Sequence, residues 1–151
     1  HFIFLDMENL LAEIQVSYNT NSNKPKIETS HNAYEILLAS WFTGTLELQE
    51  EFKVLLLNRA NHVLGIYNLS KGGTAGTIVD VKLLFAVALK CNATSIIVAH
   101  NHPSGRLKPS VQDIEITKKI KEASKFLDIK LLDHLIISKD GYYSFTNEST
   151  C

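Results

Sequence analysis

An apolar run, Ser95-Ile96-Ile97-Val98-Ala99, leads directly into His100-Asn101-His102 and is closed by Pro103. Side chains alternate along a strand, so two imidazoles one residue apart share a face and can reach one ion if the strand continues through them. Proline has no N–H to give to a ladder, which predicts that the strand ends at Pro103 and leaves both histidines at a sheet's C-terminal edge, with a loop beyond. Open α/β sheets hold their ligands at that edge.

The residues that follow supply a third ligand. Pro103 to Pro109 is dense in turn-forming residues, and Ser110-Val111-Gln112-Asp113 opens a helical pattern running to about Phe126. A carboxylate in the first turn of that helix can point back at the strand end. His100, His102 and Asp113 leave a coordination position open, as catalytic zinc sites do, whereas structural sites are usually closed by four ligands rich in cysteine. Only Cys91 and Cys151 occur, far apart in the chain. The same donor set also suits non-haem iron, so ligand type alone does not choose the metal.

His100-x-His102-Pro103, with Ser110 and Asp113 in register, resembles the signature of the JAMM (MPN) metal-dependent hydrolases. The longer string His100-Asn101-His102-Pro103-Ser104-Gly105, then Pro109-Ser110, Asp113 and Leu132-Asp133-His134-Leu135, is similar to the RadC branch of that superfamily. The likeness spans roughly Leu46 to Phe145. It implies an α/β fold with a mixed β-sheet flanked by helices, related to the cytidine-deaminase architecture, and one Zn2+ per chain on His100, His102 and Asp113. It also implies hydrolysis of an amide or isopeptide bond in a protein or peptide substrate, with an upstream glutamate as general base and Ser110 stabilising the oxyanion. The matching glutamate in RadC-like sequences stands two residues before a phenylalanine that opens an apolar strand, here Glu50 before Phe52. Glu51 is the adjacent competitor, and alternation sends the two to opposite faces, so only one can serve. Longer RadC proteins carry a helix-hairpin-helix segment ahead of this domain, and residues 1–45 show no such glycine-containing hairpin.

Zinc deaminases use His-x-Glu followed by Pro-Cys-x-x-Cys. This chain has His-x-His and no Cys-x-x-Cys, which rejects deamination on chemistry even if the fold is shared. A nuclease, or a metal-stabilised scaffold that turns nothing over, are the alternative functions. With 151 residues carrying a net charge of −1, the chain lacks the electrostatic footprint of a dedicated nucleic-acid binder. Lys118, Lys119, Lys121, Lys125 and Lys130 form a local basic cluster, diluted by Glu115, Glu122 and Asp128, that reads as a solvated helix face. Two cysteines without pattern, no apolar stretch near ~20 residues and no signal peptide together predict a cytoplasmic protein without a membrane span.

This length predicts one domain over 1–151, with its core at about 46–146 and a strand and helix over 10–42. Ala12, Ile14, Val16 and Tyr18 alternate with polar residues and predict a half-buried strand. Beyond the polar loop at 19–26, Ser30 is expected to cap a helix bearing Ala33, Ile36, Leu37 and Trp41. Phe52–Leu57 and Val63–Tyr67 read as a hairpin, Leu131–Ile137 as a buried strand and Tyr142–Phe145 as a last short one. The glycine-rich stretch Lys71 to Gly76 lacks the P-loop ending and precedes a helix over about Asp80–Lys90; the resemblance makes it a border of the substrate groove. Ser110-x-x-Asp113 is also a capping box, and a carboxylate committed to a metal is expected to have less freedom to reach back to the cap. His134 reads as a satisfied core histidine or a partner of a metal-bound residue, and Asp133 as a group that orients either an imidazole ligand or only His134. His1, His31 and His62 read as surface residues.

Overall fold

Alternation along each strand decides which helix a residue meets. The computed structural model describes residues 10–72 and 77–150. In chain order its elements are α1 (Ser30–Ser40), β1 (Glu51–Leu57), β2 (Val63–Lys71), α2 (Val81–Lys90), β3 (Ser95–Asn101), α3 (Val111–Phe126), β4 (Lys130–Ser138) and β5 (Gly141–Ser144). The strands form one mixed sheet in the order β2-β1-β3-β4-β5. β1 runs antiparallel to β2 and β3, β3 runs parallel to β4, and β4 runs antiparallel to β5. The parallel step needs a crossover, and α3 supplies it.

Two hydrophobic cores lie on the two faces. Leu55, Leu57, Ile97, Ala99, Leu135 and Ile137 pack with Ala33, Leu37 and Trp41 on the α1 face. Phe52, Val54, Leu56, Ile96 and Val98 pack with Leu84, Phe85 and Ala88 of α2 and Ile120 of α3 on the other. Burial on both sides explains the apolar runs Val54–Leu57 in β1 and Ile96–Ala99 in β3. By the same count of two, His100 continues the series Ile96, Val98 toward α2 and α3, and Asn101 continues Ile97, Ala99 toward α1.

The two short connections after α2 and α3 each turn at a left-handed residue, Asn92 at φ 53° and Asp128 at φ 54°. Three expectations need correction. Ala12 to Tyr18 form no strand: Ile14 is 83% exposed, and the segment finds no ladder partner, touching the sheet through the Tyr18 hydroxyl, which donates to the Leu64 carbonyl at 2.7 Å. Thr29, not Ser30, caps α1; its extended backbone lets its side chain accept from the Asn32 N–H, while Ser30 is already helical. β3 ends at Asn101 rather than at Pro103, so His102 is the first residue of the loop. Among the described residues no helix is long and apolar enough to cross a membrane. His1 and the stretch 73–76 of the glycine-rich loop lie outside the described residues.

Candidate metal centre

The end of β3, the first turn of α3 and the residue just before β1 converge on one side of the sheet. His100 is buried at the strand end, with its Nε2 3.0 Å from Nε2 of His102. The loop after β3 turns back through Gly105 at φ 81°, whose N–H donates to the His102 carbonyl at 2.8 Å. Glycine occupies such a conformation without a Cβ penalty. That turn brings the Arg106 carbonyl to 2.7 Å from Nδ1 of His102. A carbonyl only accepts, so Nδ1 carries the proton and Nε2 of the neutral ring presents its lone pair to the site.

Asp113 faces both rings: Oδ1 is 3.3 Å from Nε2 of His100 and Oδ2 is 3.1 Å from Nε2 of His102. The expected conflict with capping does not arise. Oδ2 accepts from the Ser110 N–H at 2.8 Å, and the Ser110 Oγ accepts from the Asp113 N–H at 3.0 Å, so one carboxylate closes the capping box and faces the imidazoles together. The Ser110 hydroxyl, exposed at the helix start, accepts in this bond and keeps its own proton to donate elsewhere.

Glu50 and Glu51 diverge to the two faces. Glu50 joins Phe52, His100 and Asp113 in lining a cavity over the site, and its Oε2 accepts from the Thr77 N–H at 2.9 Å. One donor atom each from Glu50, His100 and His102 lies within 4.8 Å of the others. Glu51 is buried on the α1 side, 3.7 Å from the Lys53 ammonium and 3.6 Å from that of Lys71. Lys53 in turn lies 4.6 Å over the Trp41 ring.

Asn101, between the two histidines, is a part of the site that sequence reasoning missed. Its amide donates to the carbonyls of Leu46 at 2.7 Å and Gln49 at 2.9 Å, and its Oδ1 accepts from the Glu51 N–H at 2.7 Å. The residue clamps the chain on either side of Glu50. Its position one residue from each histidine, pointing to the opposite face, was the available signal.

Behind His100 stands His134 of β4, fully buried between Phe145, stacked at 4.5 Å, and Phe52, edge-on at 5.6 Å. Its Nε2 is 2.8 Å from Nδ1 of His100 and its Nδ1 is 2.6 Å from the Thr117 hydroxyl. Asp133 orients neither ring. Its carboxylate accepts from the hydroxyls of Ser30 and Ser144 and from the N–H groups of His134 and Thr146, tying α1 and the C-terminal turn to β4. His31 is exposed and pairs with Glu35 at 3.1 Å, whereas His62 is half-buried, its N–H donating to Asn58.

The charge balance of this cluster favours a cation. The hydrogen bond to Asp113 raises the His102 pKa above its ordinary value despite burial, so a proton bridges the pair in acid. Burial alone would raise the Asp113 carboxyl, but the two adjacent imidazoles of His100 and His102, with the Ser110 N–H bond, outweigh it and hold the group well below the usual carboxylate range. Burial pushes the His134 imidazole well below its ordinary value, which keeps it neutral. Donors 2.0–2.1 Å from a tetrahedral ion stand about 3.3–3.4 Å apart. The two imidazole nitrogens stand 3.0 Å apart, near that value, and each meets a different oxygen of Asp113, at 3.3 and 3.1 Å, so two rings and one carboxylate face a common space with a donor set that fits zinc or another borderline divalent ion.

Residues 27–150 match the RadC-like JAB domain family. A protein of Flavobacterium johnsoniae is 53% identical over 123 residues, covering 82% of this chain and 52% of its own length. One from Porphyromonas gingivalis is 48% identical over 101 residues, 66% of this chain and 44% of its own. One from Clostridium botulinum is 43% identical over 142 residues, 93% of this chain and 61% of its own. All three are called UPF0758 protein, a name that states no activity. The chain spans about half the length of the curated relatives it matches.

Proposed function

Since this chain belongs to the RadC-like JAB domain family, we propose that it is a zinc-dependent hydrolase that cleaves an amide or isopeptide bond in a protein or peptide. The observation that carries the reading is the convergence of His100, His102 and Asp113 at 3.0–3.3 Å with Glu50 across an open cavity. His100, His102 and Asp113 would hold the ion. When bound, a zinc ion supplies Lewis acidity that lowers the pKa of a water from 15.7 toward ~7.

The remaining work falls to side chains. Glu50 takes the proton of the attacking water and returns it to the leaving nitrogen; the Thr77 N–H aims the carboxylate while leaving its other oxygen to act. The Ser110 O–H donates to the developing oxyanion, a contribution of about 3 kcal/mol for one well-aimed donor. The capping bond from Asp113 fixes the Ser110 oxygen during that donation. Net charge −1 disfavours a phosphodiester, which asks for a more positive groove.

Protein purified without chelator or nickel resin should carry about one zinc, as a three-ligand open site does, and should release products from a panel of isopeptide- and peptide-linked fluorogenic substrates. Glu50→Gln should keep the zinc and lose nearly all turnover. Failure of the wild-type protein to take up zinc after add-back would overturn the reading.

A further inference from the structure

The buried contacts behind His100 contain a proton count that fixes its tautomer. The Thr117 hydroxyl, 1% exposed as part of its residue, lies 2.6 Å from the Asp113 backbone carbonyl and 2.6 Å from Nδ1 of His134. Two oxygens at that separation repel unless a proton stands between them, and a carbonyl has none to give. The hydroxyl therefore donates to the carbonyl and is left to accept from His134. A neutral His134 with its proton on Nδ1 has a lone pair on Nε2, and that lone pair, 2.8 Å away, accepts the Nδ1 proton of His100. His100 then has no proton on Nε2, the atom facing His102 and Asp113.

We propose that Thr117 and His134 are positioning residues that lock His100 in the Nδ1–H tautomer and so preset its Nε2 lone pair for a metal ion. The inference rests on the metal reading above, and it adds the reason a buried histidine and a helix hydroxyl stand where they do. An ordinary metal-bound histidine is oriented by a carboxylate or carbonyl accepting its outer N–H. Here the acceptor is another imidazole, itself ambiguous between tautomers until a hydroxyl in the first turns of α3 decides for it. The same helix carries Asp113, so docking of α3 on the sheet delivers a ligand and the tautomer of a second ligand in one step. Phe52 and Phe145 on two sides of His134 exclude water that would offer either nitrogen a competing partner.

The test uses the whole chain and reads zinc affinity and imidazole protonation instead of turnover. Thr117→Val keeps the shape and removes the hydroxyl; zinc affinity, measured by chelator competition, should fall about 10–100-fold, the usual effect of losing an outer partner. Thr117→Ser restores the hydroxyl and should bind within a few-fold of wild type. Nitrogen-15 imidazole spectra of the metal-free wild-type protein above the His102 titration should show His100 and His134 protonated at Nδ1 alone. Equal zinc affinity in Thr117→Val and wild type, or a His100 proton on Nε2, would refute the proposal. Should the wild-type protein bind no zinc, the metal reading fails by itself, and the spectra still decide the tautomers. Should Thr117→Val fail to fold, the wild-type spectra and Thr117→Ser decide them.

Discussion

Replacing Asn101 by alanine removes a clamp between the metal strand and the segment that presents Glu50. The side chain is fully buried and makes three hydrogen bonds to backbone groups of Leu46, Gln49 and Glu51. At about 0.5–1.5 kcal/mol net for each bond, the loss is about 2–4 kcal/mol, toward the upper end because the partners stay buried without one. With a urea m-value of about 2 kcal/mol/M, the unfolding midpoint should drop by about 1–2 M at unchanged slope. Zinc affinity should change little, because His102 is held by Arg106 and His100 by His134, both independent of Asn101. Turnover, if assayed in parallel, should fall more than zinc affinity as the position of Glu50 loosens. Asn101→Leu supplies the control: it fills the space without the bonds. An Asn101→Leu protein as stable as wild type would mean that the residue merely occupies volume. A zinc affinity lowered as far as in His102→Ala would mean that it acts through the ligands and not through the glutamate segment.

Glu51→Gln should leave zinc affinity unchanged and cost about 3 kcal/mol of stability, since it strips the nearest anion from the buried Lys53; a variant that unfolds like wild type would contradict the pairing. In the metal-free protein, the raised His102 pKa contributes stability that is complete below about 6.5 and is lost as pH climbs through the higher folded value. The depressed Asp113 pKa contributes stability that is present above about 3.9 and is lost only as pH falls toward its low folded value. Melting temperatures of the chelator-treated protein should therefore decline from about pH 6 to 8, whereas zinc affinity should rise over that span because the ion displaces the His102 proton; parallel trends would count against a shared site. Duplex and single-stranded DNA should bind weakly, with any affinity fading in salt and tracing to Lys118, Lys119 and Lys121, and a submicromolar complex at physiological salt would promote the nuclease or scaffold reading.

The clustering of His100, His102 and Asp113, the helix α3 and both faces of the sheet are legible in the sequence because their signals are local. Alternation alone separates Glu50 from Glu51, and a capping box marks where α3 begins. Alternation misleads at Ala12 to Tyr18 because it states which residues share a face and not whether a neighbouring strand exists to pair with. For His134 the residues left two readings, a satisfied core histidine or a partner of His100 or His102, and the choice depends on β4 lying parallel to β3 with Val98 opposite His134, a register no local pattern encodes. Thr117 looks like any threonine inside a helix until the sheet behind it is known. The dual use of Asp113 escaped for a different reason: one carboxylate meets the Ser110 N–H and both imidazoles at once, with Oδ2 shared between the cap and His102, which a residue letter does not reveal.

His100, His102 and Asp113 come from one short stretch of chain, whereas Glu50 directly precedes β1 and His134 belongs to β4, the strands on either side of β3. Closing so short a loop costs little entropy compared with bringing in distant strands. The mutual approach of those three side chains is therefore the inexpensive part of the cluster, and the arrival of Glu50 and His134 the costly part. The stretch from His100 to Asp113 sets which donors face one another, whereas His134 behind His100 and Glu50 across the cavity depend on β4 and β1 packing against β3. The complete cluster belongs to the assembled sheet, since Glu50 and His134 join it only when β1 and β4 lie against β3.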